Sequence, residues 1–322
     1  MDKNLISFIM PVYNAENVCE NAIDSFLKFN LLARNSFLYI IDDCSTDKTS
    51  SVIQGYANHP KIKILTNSCN LGPGLSRMLG LEYVTLGHVG FIDADDQIEP
   101  ENFGRAFESH LGNAAEITCF NASIIKGSKR LFRYDLHRIT NDKIKLKRLC
   151  ARHELDGSVI FSIYDNRMLK NKAISFGRFF YEDLIFHYKS LLSAQSIQIL
   201  KYNCYTKNNI VGSIVNSISA RHIEGIFEFI YLFFNLIKNN LHLQFSGWQA
   251  ELCYGYRLLL ANLALKLSDK NNANSDIKDT IRLFVEQTRD LARVLPLFHN
   301  LQTEKDMFLS QYYNSSISSV CL

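Results

Sequence analysis

The sequence is short of the residues that mark several protein classes. Only five of its 322 residues are proline and one is tryptophan, which excludes a proline-rich linker or repeat. Eight cysteines (Cys19, Cys44, Cys69, Cys119, Cys150, Cys204, Cys253, Cys321) include no Cys-x-x-Cys pair. A chain this large needs no covalent staples, so they are read as reduced thiols of a cytosolic protein rather than a zinc or disulfide framework. The longest apolar stretch, Ile226 to Ile237, contains Glu228 and Asn235 and falls short of the roughly 18 residues a membrane-crossing helix requires. Behind Met1 a brief apolar run is stopped by Pro11, the wrong length and flanks for a secretory leader. No GxxxxGK[ST] loop and no HExxH helix occurs, and Gly72-Pro73-Gly74 is followed by Arg77 where a dinucleotide fingerprint needs its last glycine.

What is present suits a packed globular chain. Hydrophobic residues make up 47% and charged residues 21%, and the length suits about two domains. The net charge of +3 is too small for a whole-molecule polyanion binder, and no nucleic-acid partner is expected. The charge is unevenly spread. Residues 126–152 hold ten Lys or Arg against Asp135 and Asp142. This is either a solvated basic face or a surface that approaches an anionic acceptor or an acidic membrane.

Along the first hundred residues, short β-type runs alternate with helical patterns. Leu5–Met10, Phe37–Ile41, Ile62–Leu65 and His88–Ile92 read as strands. Asn14 reads as the N-cap of a helix carrying Val18, Ala22 and Phe26, and Leu75, Leu79 and Tyr83 as one face of another. This alternation predicts an α/β protein with a parallel sheet. Further on, a helix is expected near Pro100–Leu111, strands near Ile117–Phe120 and Val159–Ile163, a helix over Glu182–Leu192 and a strand over Ile197–Lys201, sharing one continuous sheet with the first part. Residues 216–322 read as neutral helices (Ala220–Leu241, Trp248–Leu267, Asp276–Leu295), with ten basic and ten acidic side chains. That composition favours packing or oligomerisation.

In a parallel sheet, ligands sit outside the carboxyl ends of the strands. The residues this reading brings there are Pro11–Asn14, Asp42-Asp43 and Asp93-Ala94-Asp95-Asp96. Three carboxylates within four residues repel one another unless positive charge sits among them. A hard divalent cation, Mg2+ or Mn2+, would supply it and complete its shell with substrate phosphates. The plainer alternatives are a solvated acidic turn for 93–96 and turn chemistry for Asp42-Asp43.

Ser7 to Asn14 with Glu16, then Ile41-Asp42-Asp43-Cys44-Ser45-Thr46-Asp47, Asn70-Leu71-Gly72 with Arg77, and Gly90-Phe91-Ile92-Asp93-Ala94-Asp95-Asp96 together resemble the family-2 glycosyltransferases. Phe180-Tyr181-Glu182-Asp183 resembles the family's acidic pair on the acceptor side. The resemblance covers about residues 5–105 strongly and gives nothing beyond about 215. It implies a GT-A fold, a Rossmann-like mixed sheet sandwiched by helices. A catalytic domain would span 1–215, with a nucleotide-sugar half (1–105) and an acceptor half (106–215), followed by a helical extension over 216–322.

The same resemblance implies residue roles. Pro11, Val12 and Tyr13 would line the base pocket, with Glu16 and Ala94 on the nucleotide side. Asp43 would accept the uracil imide hydrogen, Arg77 and Asp93 would lie at the ribose and diphosphate, and Asp95 would hold the metal. Asp183 would be the general base, with Glu182 as its alternative. A plain acidic helix start is the competing reading of that pair. Where the family often has Ala-Arg-Asn this chain has Ser76-Arg77-Met78, so the Asn has no counterpart.

The implied reaction is inverting transfer of a sugar from a UDP-sugar to a hydroxyl of a glycan or lipid-linked acceptor. It would take place in the cytoplasm, at or near the inner face of the membrane, in capsule, lipopolysaccharide or related synthesis. Two other classes compete. A haloacid dehalogenase-type phosphohydrolase also spaces two Asp one apart at a strand end, but Gln97 stands where its Thr or Val belongs. A carbohydrate-binding or scaffold protein would keep the fold without turnover. His187, one helical turn after Asp183, is read as structural rather than metal-binding, and Tyr205, Asn209 and Ser213 as loosely matching site-facing residues.

Overall fold

The computed structural model describes residues 4–32, 35–126, 129–132, 138–140, 157–177, 181–208 and positions 225, 229 and 232. The chain divides into two compact units. One comprises Met1–Leu146, Gly157–Arg178 and Phe186–Val211, the other Lys147–Asp156, Phe179–Ile185 and Gly212–Leu322.

The first unit is built on one mixed sheet. Strands β1 (Ile6–Val12), β2 (Ser36–Asp42), β3 (Ile62–Thr66) and β4 (His88–Phe91) alternate with helices α1 (Cys19–Leu32), α2 (Thr49–Gln54) and α3 (Pro73–Tyr83). After β5 (Gln97–Ile98) and α4 (Pro100–Gly112) come β6 (Ile117–Lys126), β7 (Lys129–Phe132), β8 (Arg138–Thr140), β9 (Ser162–Asp165), α5 (Asn166–Asn171), α6 (Glu182–Ser193) and β10 (Ile197–Asn208). The strand order is β3-β2-β1-β4-β9-β6-β10-β5, with β7 on β6 and β8 on β10. Strands β3, β2, β1 and β4 run parallel, while β9 is antiparallel to both its neighbours.

Burial on both faces explains the apolar strand runs. Phe8 on β1 is fully buried and meets Phe26 and Phe29 of α1 and Phe103 of α4 at ring separations of 5.8, 5.4 and 5.0 Å. The mixed sheet, continuous from the first part into the second, matches the expected architecture. Local expectations differ in three places. Asn14 does not cap a helix: its φ is +48° and α1 begins at Cys19, with Val18 only half-buried. The buried face of α3 is Gly74, Ser76, Arg77, Gly80 and Leu81, while Tyr83 is exposed. A Cβ on Gly80 would stand 2.5 Å from Ile9 Cγ2; at that position the helix lies so close to β1 that no side chain fits without a shift. The run expected as a strand over 159–163 opens as a 3-10 turn, Val159–Phe161, before β9.

The helices expected over 216–322, Asn209 and Ser213, and most of the basic segment 126–152 lie outside the described residues. In the second unit, positions 225, 229 and 232 are helical. No helix among the described residues is long and apolar enough to cross a membrane.

Candidate functional site

Three adjacent parallel strands end side by side. β1 leads into Tyr13, β2 into Asp43 and β4 into Asp93–Asp96, with Val12 opposite Asp42 in register. Pro11 is half-buried, Val12 is buried, and the Tyr13 ring is 47% exposed, a flat apolar surface at the strand end.

The loops after β1 and β2 are stitched together. Asn14 Oδ1 accepts from Thr46 N at 2.8 Å, Glu16 N donates to Asp47 Oδ2 at 3.3 Å, and Lys48 N donates to Glu16 Oε2 at 2.8 Å. Glu16 thus holds backbone. Asp42 Oδ1 accepts from Ser45 N at 2.9 Å, the turn chemistry weighed from the sequence.

Asp43 is differently placed. It is buried, and its Oδ1 accepts from Asn67 Nδ2 (2.7 Å) and Leu71 N (2.8 Å), its Oδ2 from Gly72 N (2.7 Å). Asn67 Nδ2 also donates to Ser76 Oγ at 2.9 Å, and Ser76 Oγ donates to Gly72 O at 3.0 Å. A buried network therefore aims the carboxylate. Asn67 was not singled out from the sequence; an isolated Asn between a strand and a loop carries no spacing signal.

The acidic corner gets its positive charge from two places. Arg77 Nη2 donates to Asp93 Oδ1 at 2.7 Å, and the guanidinium carbon lies 5.6 Å from the centre of the Phe176 ring. Lys207 Nζ, from the end of β10, is 3.8 Å from Asp93 Oδ2 and 3.8 Å from Asp96 Oδ2. Burial opposes ionisation of Asp93, but Arg77 and then Lys207 outweigh it and hold the carboxyl below its usual range. Burial, then the Asp93 charge, pushes Asp95 up despite Lys207. Asp96 is fully buried, and burial pushes its carboxyl up to about 8 against the pull of Lys207, with Asp93 and Asp95 adding to the rise.

The end of β10 clamps this turn. Asn208 N donates to Asp96 Oδ1 (2.8 Å), Asn208 Nδ2 donates to Asp95 O (2.6 Å), and Asp93 N donates to the Tyr205 hydroxyl (3.0 Å). Tyr205 lies within β10, and burial followed by the nearby Asp96 and Asp93 charges keeps its hydroxyl protonated. Lys207 and Asn208 were not found from the sequence because they lie more than a hundred residues from the turn they hold.

Among the described residues no cluster of three or more His, Cys, Asp or Glu side chains forms a metal cage. The donor set suits a different arrangement. Asp95 is half-buried with its charge under-compensated, and Mg2+-type ions are commonly held by one or two carboxylates plus substrate phosphates.

The residues of the acidic pair belong to the second unit. Glu182 is buried, and Asp183, half-buried, accepts from its neighbour Leu184 N at 2.9 Å, opening α6. His187, in the first unit, is buried and hydrogen-bonded through Nδ1 to the Tyr164 hydroxyl at 2.6 Å, the structural role expected of it.

Residues 7–176, more than half of the chain, match the family described as Glycosyl transferase family 2. The chain belongs to that family. The phosphohydrolase reading falls with this membership. Among family relatives, a glycosyltransferase of Haemophilus influenzae with no described role is 36% identical over 119 residues, covering 37% of this chain and 47% of that protein. TarS of Staphylococcus aureus, a poly(ribitol-phosphate) β-N-acetylglucosaminyltransferase, is 26% identical over 207 residues, covering 62% of this chain and 34% of TarS. The chain thus spans less than half the length of either curated relative. In structure it superposes on TarS residues 1–349, solved with UDP-GlcNAc, with a TM-score of 0.63 at 19% identity, over 98% of this chain and 90% of that one. A mannosyltransferase of Pyrobaculum calidifontis, solved with GDP-Man and Mn2+, gives 0.53 at 12% identity, over 98% and 86%. These likenesses show the GT-A fold.

Proposed function

We propose that the protein transfers a sugar from a UDP-sugar to a hydroxyl of a glycan or lipid-linked acceptor, with inversion at the anomeric carbon, in surface-polysaccharide synthesis. The observation that carries this reading is the side-by-side ending of β2, β1 and β4 in Asp43, Tyr13 and Asp93–Asp96. A nucleotide needs a flat apolar face, one fixed polar partner and a place for two phosphates.

Tyr13, with Pro11 and Val12, offers the face for the base, and Glu16 and Ala94 shape the loops beside it. Asp43 Oδ1 already takes two hydrogen bonds and Oδ2 one; one acceptor position remains on a carboxylate of four, matching the single imide N–H of uracil. Arg77 and Asp93 serve the ribose and diphosphate side. Asp95, with Asp93 beside it, is the residue that would hold Mg2+ or Mn2+. When bound, such an ion neutralises charge growing on a departing diphosphate. Asp183 takes the proton of the acceptor hydroxyl, a poor nucleophile at pH 7, and Glu182 is the alternative.

The UDP-GlcNAc and UDP complexes of the TarS chain support the nucleotide. The name of TarS, with its poly(ribitol-phosphate) acceptor, supports an anionic acceptor for the basic segment 126–152. We further propose that the protein works in the cytoplasm at the inner face of the membrane and associates through residues 216–322.

A thermal-shift panel of UDP-, GDP-, CMP- and dTDP-sugars with and without Mn2+ tests the reading, because a ligand that binds only the native form raises the melting point by mass action. A rise confined to UDP-sugars and enlarged by Mn2+ is expected. No shift with any nucleotide sugar would overturn it.

A further inference from the structure

The acidic corner contains three carboxylates, Asp93, Asp95 and Asp96, and the described cations facing it are Arg77 and Lys207. The two cations differ. Arg77 is buried beneath the corner, pairs with one oxygen of Asp93 at 2.7 Å and lies against the Phe176 ring; it is part of the floor. Lys207 is one-third exposed and stands at the same 3.8 Å from Asp93 Oδ2 and from Asp96 Oδ2, a bridging position between two carboxyl groups.

Its placement is built into the sheet. Tyr205 and Lys207 are two residues apart on β10, so their side chains leave the same face. Tyr205 is anchored to Asp93 N, and the next residue, Asn208, holds both Asp96 and the Asp95 carbonyl. Buried Asp96 Oδ2 has no hydrogen-bond partner, so the ammonium at 3.8 Å is the charge that this oxygen faces. A lysine stem is flexible and its head is a point charge, so the ammonium can leave this bridge for a new anion without the strand moving.

We propose that Lys207 is a tethered cation of the donor site, bridging Asp93 and Asp96 in the free protein and turning to the diphosphate when a nucleotide binds. The inference rests on the reading of this corner as a nucleoside-diphosphate site. It gives Lys207 two opposite effects. The ammonium repels a divalent ion from the carboxylates of the free protein, and it attracts a diphosphate even when no divalent ion is present. Binding of metal is thereby made dependent on nucleotide.

Titration calorimetry on the full chain tests this with UDP in EDTA and, separately, with MnCl2 in the absence of nucleotide. Lys207→Met should weaken UDP in EDTA about tenfold and tighten Mn2+ about tenfold, the scale of one unit charge removed from a partly exposed site. Lys207→Arg, which keeps the charge, should stay within about threefold of wild type on both. If Lys207→Met does not fold, as judged by its melting curve, Lys207→Gln replaces it. Any pattern other than opposite movement overturns the proposal, including joint weakening of both ligands, which a damaged site would give. Wild-type protein that binds UDP with Mn2+ but not in EDTA also overturns it. Wild-type protein that binds UDP under neither condition would instead overturn the donor-site reading itself.

Discussion

Arg77 Nη2 and Asp93 Oδ1 meet at 2.7 Å, joining helix α3 to the turn after β4, and the Arg77 side chain is only 6% exposed. Breaking a buried pair by removing one partner leaves an uncompensated charge, at a cost of about 3–5 kcal/mol. Asp93 is partly open to solvent, which lowers the expectation to about 2–3 kcal/mol for Arg77→Met. The double variant Arg77→Met with Asp93→Asn should lose less than the sum of the singles, since the two residues couple. Urea unfolding of the three variants measures both quantities.

Asn67→Leu removes the amide that links Asp43 to Ser76. Unsatisfied buried polar groups cost about 1–3 kcal/mol, and that loss of stability is expected. Asp43 would keep its bonds to Leu71 N and Gly72 N but lose one constraint on its orientation. A uridine nucleotide should therefore bind more weakly while its melting-point shift with Mn2+ keeps the same sign.

Gly80→Ala probes how closely α3 approaches the sheet. The new Cβ would lie 2.5 Å from Ile9 Cγ2 and 3.0 Å from Ile41 Cδ1, and the branched Ile9 cannot easily rotate away. Overpacking of this kind costs about 1–3 kcal/mol. Alanine's higher helix propensity offsets about 1 kcal/mol of it. A net loss of up to about 2 kcal/mol is expected by denaturant titration. Because α3 carries Arg77, the KM for the nucleotide sugar should rise as well.

His110 is fully buried, with Nδ1 2.7 Å from Thr118 Oγ1 and Nε2 2.9 Å from His88 Nδ1. Burial, then the neighbouring His88, lowers its pKa from 6.5 to about 3. Between those values the unfolded chain binds a proton that the folded one refuses. The His110 contribution to stability is therefore complete above about pH 6.5 and is lost as the solution is acidified toward pH 3, by about 1.4 kcal/mol per pH unit, against an opposite slope from Asp96, whose raised carboxyl favours the folded state in acid. His110→Gln should remove that contribution, so that acidification costs the variant less stability than the wild type. Melting temperatures at pH 7, 6 and 5 for both proteins decide it; equal slopes would assign the acid sensitivity elsewhere.

Asp95→Ala should abolish sugar transfer and the Mn2+-dependent part of UDP binding. Asp183→Asn should leave donor binding unchanged and reduce transfer by at least about a hundredfold, the scale of a lost general base. Normal turnover by the Asp183 variant would remove that residue from the mechanism.

Much of this was legible from the residue order. Apolar runs of five or six residues leading into Pro11–Asn14, Asp42-Asp43 and Asp93–Asp96 are the length of strands, and the helical stretches between them imply parallel crossovers. An Asn before an amphipathic stretch looks like a cap, and Asn14 is not one. Here it holds a left-handed turn that pins two loops together. On α3 the hydrophobic spacing points to Leu75, Leu79 and Tyr83, whereas the close approach to Ile9 requires glycine at position 80 and turns Gly74, Ser76, Arg77 and Leu81 inward with it.

By itself the sequence determined which residue types stand at the strand ends, because periodicity and turn chemistry are local properties. Only the tertiary structure decided which charges face one another: Arg77 with Asp93, Asn67 with Asp43, and Lys207 between Asp93 and Asp96. Electrostatic compensation depends on distances of a few ångströms, and Lys207 and the acidic turn are separated along the chain by more than a hundred residues. No spacing rule reaches that far; the strand order of the sheet brings them together.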